Sequence, residues 1–196
     1  MFGFGSRRRV ENELAEWLAH PNEFGMRPKG IRLKRTYKVN VMTHGDRDLH
    51  LLEYTMPDGT TGRGFVNGSL TWSFLGDEVN AISDNDLLVA YCGWAWLFPA
   101  LQAGNVATEF MSLTEEAAFR AKKHNDGLEN LELTDRYRIG TSELFEFKAT
   151  KNGKQIKGAG NTESEVSYDQ NDPRFNLPSI YFLLGRACIK SIRGAA

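Results

Sequence analysis

Ile31-Arg32-Leu33-Lys34-Arg35-Thr36-Tyr37-Lys38-Val39 has a counterpart 100 residues later, Leu131-Glu132-Leu133-Thr134-Asp135-Arg136-Tyr137-Arg138-Ile139. In both, apolar side chains alternate with polar ones, the period-2 signature of a strand with one face on a core. Each stretch is followed by an apolar segment, an Asp58-Gly59 or Asn152-Gly153 turn, a glycine-bearing strand and an apolar helix. The offset settles at 94 for Gly59/Gly153, Gly64/Gly158 and Trp72/Val166, so the first copy carries six more residues, within Asn40 to Asp48. A period of this length decides the architecture before any single element does. The expected fold is α+β: a tandem duplication of a helix–antiparallel β-sheet–helix unit with three or four strands. The copies span residues 1–104 and 105–196 and pack as one compact pseudo-two-fold body.

Outward from these strands, Val10, Leu14, Trp17 and Leu18 form one apolar helical stripe, with Glu11, Glu13 and Glu16 expected in its first turns. Ser83 and Asp86 stand in capping-box spacing before a helix through Leu87, Tyr91, Cys92 and Phe98. Ser112 and Glu115 do the same before Ala117, Ala118 and Ala121, and Pro178 opens a last helix expected to run to Ile192. Gly62, Gly64 and Gly68 suggest hairpin and bulge positions. This element order resembles small α/β secretion-chaperone-like and immunity-type bacterial folds, a likeness of architecture alone.

Charge excludes some function classes. Residues 1–104 hold 11 basic and 12 acidic side chains and residues 105–196 hold 13 of each, so no global field draws nucleic acid or an anionic membrane. Two cysteines, Cys92 and Cys188, suit neither a disulfide scaffold nor a metal site and are expected as small buried hydrophobes. The apolar run Leu87 to Leu101 is interrupted by Pro99 and too short to span a bilayer, and no leader is evident at the start. A soluble, cytoplasmic protein is expected.

The search for chemistry returns little. His20, His44, His50 and His124 lack zinc-ligand spacing, although His44-Gly45-Asp46-Arg47-Asp48 could hold a cation loosely. His50 alternates with core residues and suggests a half-buried side chain. Gly62-Arg63-Gly64-Phe65-Val66-Asn67-Gly68 has neither the spacing nor the helix of a phosphate cradle, and Ser69 sits between strands, not at a nucleophile elbow. No catalytic residue, metal or cofactor is therefore expected.

Arg32, Lys34, Thr36 and Lys38 are expected on one exposed strand face, with Arg136 and Arg138 in the second copy. Tyr37 and Tyr137 point to the opposite face, so the stacking aromatics of single-strand binders are missing. Trp94 and Trp96 stand two apart on a helix and cannot share a face. Arg35 and Asp135, each the lone charge on an apolar strand face, are candidates for a buried pair between the copies.

The functional expectation is a non-catalytic protein-binding module, chaperone-like or immunity-like, with Arg32, Lys34, Lys38, Trp94 and Trp96 as contacts. The alternatives are a small-molecule site or enzyme near Arg35, Asp135, Tyr37 and Tyr137 between the copies, and a structural or dimerising module. A protein partner or a homo-oligomer is expected, without membrane insertion or nucleic acid.

Overall fold

The computed structural model describes residues 4–20, 27–42, 45–68, 70–103, 106–107 and 113–194. It is an α+β protein with two five-stranded antiparallel sheets. The chain runs through α1 (Phe4–Leu18), β1 (Gly30–Val41), β2 (Gly45–Thr55), β3 (Thr61–Val66), β4 (Thr71–Leu75), α2 (Asp77–Asn80) and α3 (Asp84–Gln102). It continues through β5 (Val106–Ala107), α4 (Leu113–Asn125), β6 (Glu129–Ile139), β7 (Ser142–Lys151), β8 (Lys154–Gly160) and β9 (Glu165–Asp169). After a 3₁₀ turn come α5 (Ser179–Cys188) and β10 (Ile189–Gly194).

Strand order is β10-β1-β2-β3-β4 in the first sheet and β5-β6-β7-β8-β9 in the second. The strand that follows α5 thus joins the first sheet, and the strand that follows α3 joins the second. Compact units follow this pairing: one holds the described residues up to Tyr91 and from Cys188 onward, the other Cys92–Ala187. The last helix stops at Cys188 and does not reach Ile192, because Ile189–Gly194 pairs with β1.

In the first unit, α1 lays Val10, Leu14 and Leu18 on Leu52, Tyr54, Met56 and Val66, with Ile31 and Leu33 at the margin. On the opposite face Tyr91 of α3 stacks on Phe65 at 5.0 Å, and Phe65 lies 6.4 Å from Tyr37. In the second unit, Phe119 of α4 stacks on Phe145 at 4.8 Å among Phe147, Leu128 and Ala149. Across that sheet Phe182 of α5 meets Tyr168 edge-on at 5.3 Å. Each five-stranded sheet therefore buries both faces.

A one-residue bulge decides which side chains reach which face. β1 shifts register between Leu33, opposite Leu52, and Arg35, opposite Leu51. β6 shifts at the matching place, between Leu133, opposite Phe147, and Asp135, opposite Glu146. The extra residue reverses the alternation of everything that follows. Ile31 and Leu33 thus face α1, whereas Tyr37 and Val39 face α3. The single apolar face expected for Ile31 to Val41 is in fact split between two cores. Glu11 on α1 accepts the Leu33 N–H at 3.2 Å beside the bulge.

The local signals hold elsewhere, with some displacements. The Ser83/Asp86 box forms, the Asp86 N–H donating to Ser83 Oγ at 3.1 Å and that hydroxyl donating to Asp86 Oδ2 at 2.7 Å. Asn152 and Gly153 both take positive φ, 52° and 75°, in the β7–β8 turn. Helix α1 starts at Phe4, so its glutamates lie beyond the first turn and Glu11 and Glu13 pair with Arg7 and Arg9. Ala117, Ala118 and Ala121 of α4 are exposed, and that helix buries Phe119 and Lys123. Ser112, His44 and Ser69 lie outside the described residues. The strand glycines make room: a Cβ at Gly158 would lie 2.5 Å from the Phe147 ring, and one at Gly62 would overlap the Tyr54 ring.

Candidate functional site

The sheet positions four sets of side chains worth testing for chemistry. Three are polar and one is not.

The first lies where α3 begins. Lys34, the bulge residue, reaches Glu53 and Asp84, each at 2.9 Å, and Arg32 meets Glu53 at 2.6 Å. Arg63 on β3 joins Asp84 at 2.7 Å and donates to the Val79 carbonyl. Burial raises the carboxyls of Asp84 and Glu53, but bonds from Lys34, Arg63 and Arg32 outweigh it and hold both below the usual range. Burial pulls Lys34 down, and the same two carboxylates more than restore it. Three cations are held here by two carboxylates of the same unit, which shows how Arg32 and Lys34 are spent.

Lys38 is not part of that surface. The bulge puts it on the α1 face, opposite Asp48 on β2 and Arg193 on β10, while Arg32 sits opposite Glu53 on the α3 face. A groove of about 510 Å³ opens there, lined by Arg9, Glu13, Lys38, Asn40, Asp48, His50, Ser191 and Arg193 among others. His50 is half-buried, its Nδ1 2.9 Å from Thr36 Oγ1. Burial holds its imidazole below the ordinary value, against the pull of Asp48 and Glu13.

The third set lies in the second unit at the start of α5. Glu146 is buried and accepts the Ile180 N–H at 2.9 Å. Burial pushes its carboxyl up, with Asp135 adding to the effect, while the Ile180 and Ser179 N–H groups and Lys157 act the other way. Tyr137 is held well above an ordinary phenol, first by burial and then by Glu146, Asp135 and Tyr181. Burial also raises Tyr181 and lowers Lys157. The Ser179 hydroxyl is buried and makes no hydrogen bond. Sequence reasoning picked out Tyr137 and Asp135 but not Glu146 or Lys157. On an alternating strand Glu143, Phe145 and Phe147 already suggest one face, and that assignment sends Glu146 to the other.

Arg35 and Asp135 do not share a buried environment. Each follows its bulge and is exposed in its own unit, so the burial that called for pairing is missing. Arg35 rests 5.7 Å from the Tyr37 ring centre, and the Tyr37 hydroxyl is buried without a hydrogen bond.

The fourth set is apolar. From Leu87 to Gln102, α3 carries no charged side chain. Beyond Gly93, where the helix backbone approaches the Tyr181 carbonyl of α5, Trp94 stacks on Phe98 at 5.4 Å. Phe98 is 36% and Leu101 39% exposed. Trp94 and Trp96 are both half-buried. Trp94, Phe98 and Leu101 fall at i, i+4 and i+7, one stripe of the helix.

Among the described residues no three histidine, cysteine or acidic side chains gather as a metal site, and no helix is long and apolar enough to cross a membrane. Cys92 and Cys188 are buried and not joined in a disulfide, and burial pushes Cys188 up to about 11. No protein family, curated protein or solved structure matches the chain.

Proposed function

We propose that the protein is a non-catalytic binding module that holds another protein through the second half of α3. The observation that carries this is the charge-free stripe Trp94, Phe98 and Leu101, whose last two members stand open to solvent. Stacked aromatics with an exposed apolar neighbour are the composition of an interface anchor. The basic residues of β1 contribute less than the sequence suggests, because Arg32 and Lys34 are already bound to Glu53 and Asp84. The test is affinity purification from the native host with wild-type protein and with the double variant Phe98→Glu, Leu101→Glu. A stoichiometric partner retained by the first and lost by the second supports the proposal. Equal recovery by both removes it. If the captured protein is the chain itself, the interface is a homo-oligomeric one.

A second reading rests on Glu146. A carboxyl pushed up by burial beside Tyr137, Tyr181 and Lys157 is the kind of group a small-molecule site or an acid–base centre uses. Recovery of a metabolite with purified wild-type protein, and its loss in Glu146→Gln, would favour this reading over the first.

We also propose that the two halves arose by tandem duplication. The cross-strand row Leu33, Leu52, Gly64, Ser73 has the counterpart Leu133, Phe147, Gly158, Ser167, with a bulge after its first member in each case. Superposition of the two sheets in an experimental structure, bulge on bulge, would support duplication. A register that fails to coincide would refute it.

A further inference from the structure

The equivalent row beyond the bulge differs between the units. In the second, Arg138 faces Glu143 on one side and Ala107 on the other, and its Nε donates to Glu143 at 3.1 Å. Within that row one cation meets one buried carboxylate, and Glu115 of α4 brings a second carboxyl beside Glu143. In the first, Lys38 faces Asp48 on one side and Arg193 on the other. Among the described residues neither Lys38 nor Arg193 has an ion pair. Like charges directly opposite each other across an antiparallel pair destabilise it. Of the carboxylates nearby, Glu13 is paired with Arg9 at 3.0 Å, and Asp46 accepts from the Asn40 amide at 2.6 Å. Within this row Asp48, opposite Lys38, is one carboxylate for two cations. The first turn of α1 contributes Ser6 to the wall, so the positive end of that helix borders the same groove.

We propose that the groove of about 510 Å³ between α1 and the β10–β1–β2 edge binds a small molecule bearing a phosphate monoester, held by Lys38 and Arg193. The three terminal oxygens of a phosphate monoester can accept from two side chains on neighbouring strands at once. Ser191 and Asn40, the next cross-strand pair, supply a hydroxyl and an amide beside it. The volume suits a small ligand.

The experiment is titration of the full ¹⁵N-labelled chain with inorganic phosphate, with acetate at equal ionic strength as the second arm. The expected result is a saturable shift of the Lys38, Ser191 and Arg193 amides, with acetate at least about tenfold weaker. Arg193→Ala should weaken phosphate binding by about tenfold or more, the usual worth of a charge-assisted hydrogen bond. Shifts that stay linear, that fall elsewhere, or that are as strong with acetate would overturn the proposal. So would an Arg193→Ala protein that binds phosphate as wild type does.

Discussion

Lys123 and Glu146 are two buried ionisable side chains whose replacement should be felt, for opposite reasons. Lys123 has no exposed surface, pairs with Glu165 and Asp126, and lies 5.2 and 5.1 Å from the Phe119 and Phe147 ring centres. Lys123→Ala leaves Glu165 without its main partner and a void under α4, so unfolding should become easier by about 3–5 kcal/mol, measurable by urea titration. Glu146 works the other way. Its folded carboxyl is raised by burial, so its contribution is fully present below the ordinary glutamate range and is lost as pH rises through the raised value. Glu146→Gln, which keeps an acceptor for the Ile180 N–H, should therefore flatten stability against pH just above the ordinary glutamate range. An unchanged slope would show that Glu146 ionises freely. Asp84 has the opposite sign, held low by Lys34 and Arg63: its contribution is lost as pH falls through the depressed value, and Asp84→Asn should abolish that acid limb. None of this was fully legible beforehand. Nothing in Ala121-Lys122-Lys123-His124 marks which lysine turns inward, since that depends on where Glu165 arrives 42 residues later.

At the scale of elements, the long periodic segments announced themselves and the single-residue events did not. The α1 stripe, the Ser83 box and the Asn152-Gly153 turn are encoded by neighbours in sequence, and each forms where expected. The bulges at Lys34 and Thr134 carry no glycine or proline to mark them, yet each moves half a strand to the other face. This is why Arg32 and Lys38, two of the proposed contact residues, lie on opposite faces. Short β5 and β10 were equally hidden, because two and six residues at a sheet edge show little periodicity of their own. Gly93 makes the element-scale prediction. A Cβ there would land inside the Tyr181 carbonyl, so Gly93→Ala must push α3 and α5 apart. Overpacking of this kind costs about 1–3 kcal/mol, and a lowered thermal midpoint would record it. A variant as stable as wild type would mean the helices do not meet there.

For the whole molecule, each sheet is enclosed by its own helices, and the polar clusters of each unit are mostly neutralised from within. Among the exposed apolar side chains, Phe98 and Leu101 stand together at the end of α3, a helix without a charge from Leu87 to Gln102. The sequence pointed to tryptophans on this helix, but Phe98 and Leu101, one and two turns beyond Trp94, are the more exposed. The decisive measurement is quantitative co-purification from the native host with wild type and the Phe98→Glu, Leu101→Glu variant, each checked for an unchanged melting temperature. The account predicts one protein at stoichiometric yield with wild type and at least about a tenfold loss with the folded variant, the signature of a central anchor. The same partner at the same yield on both would contradict it.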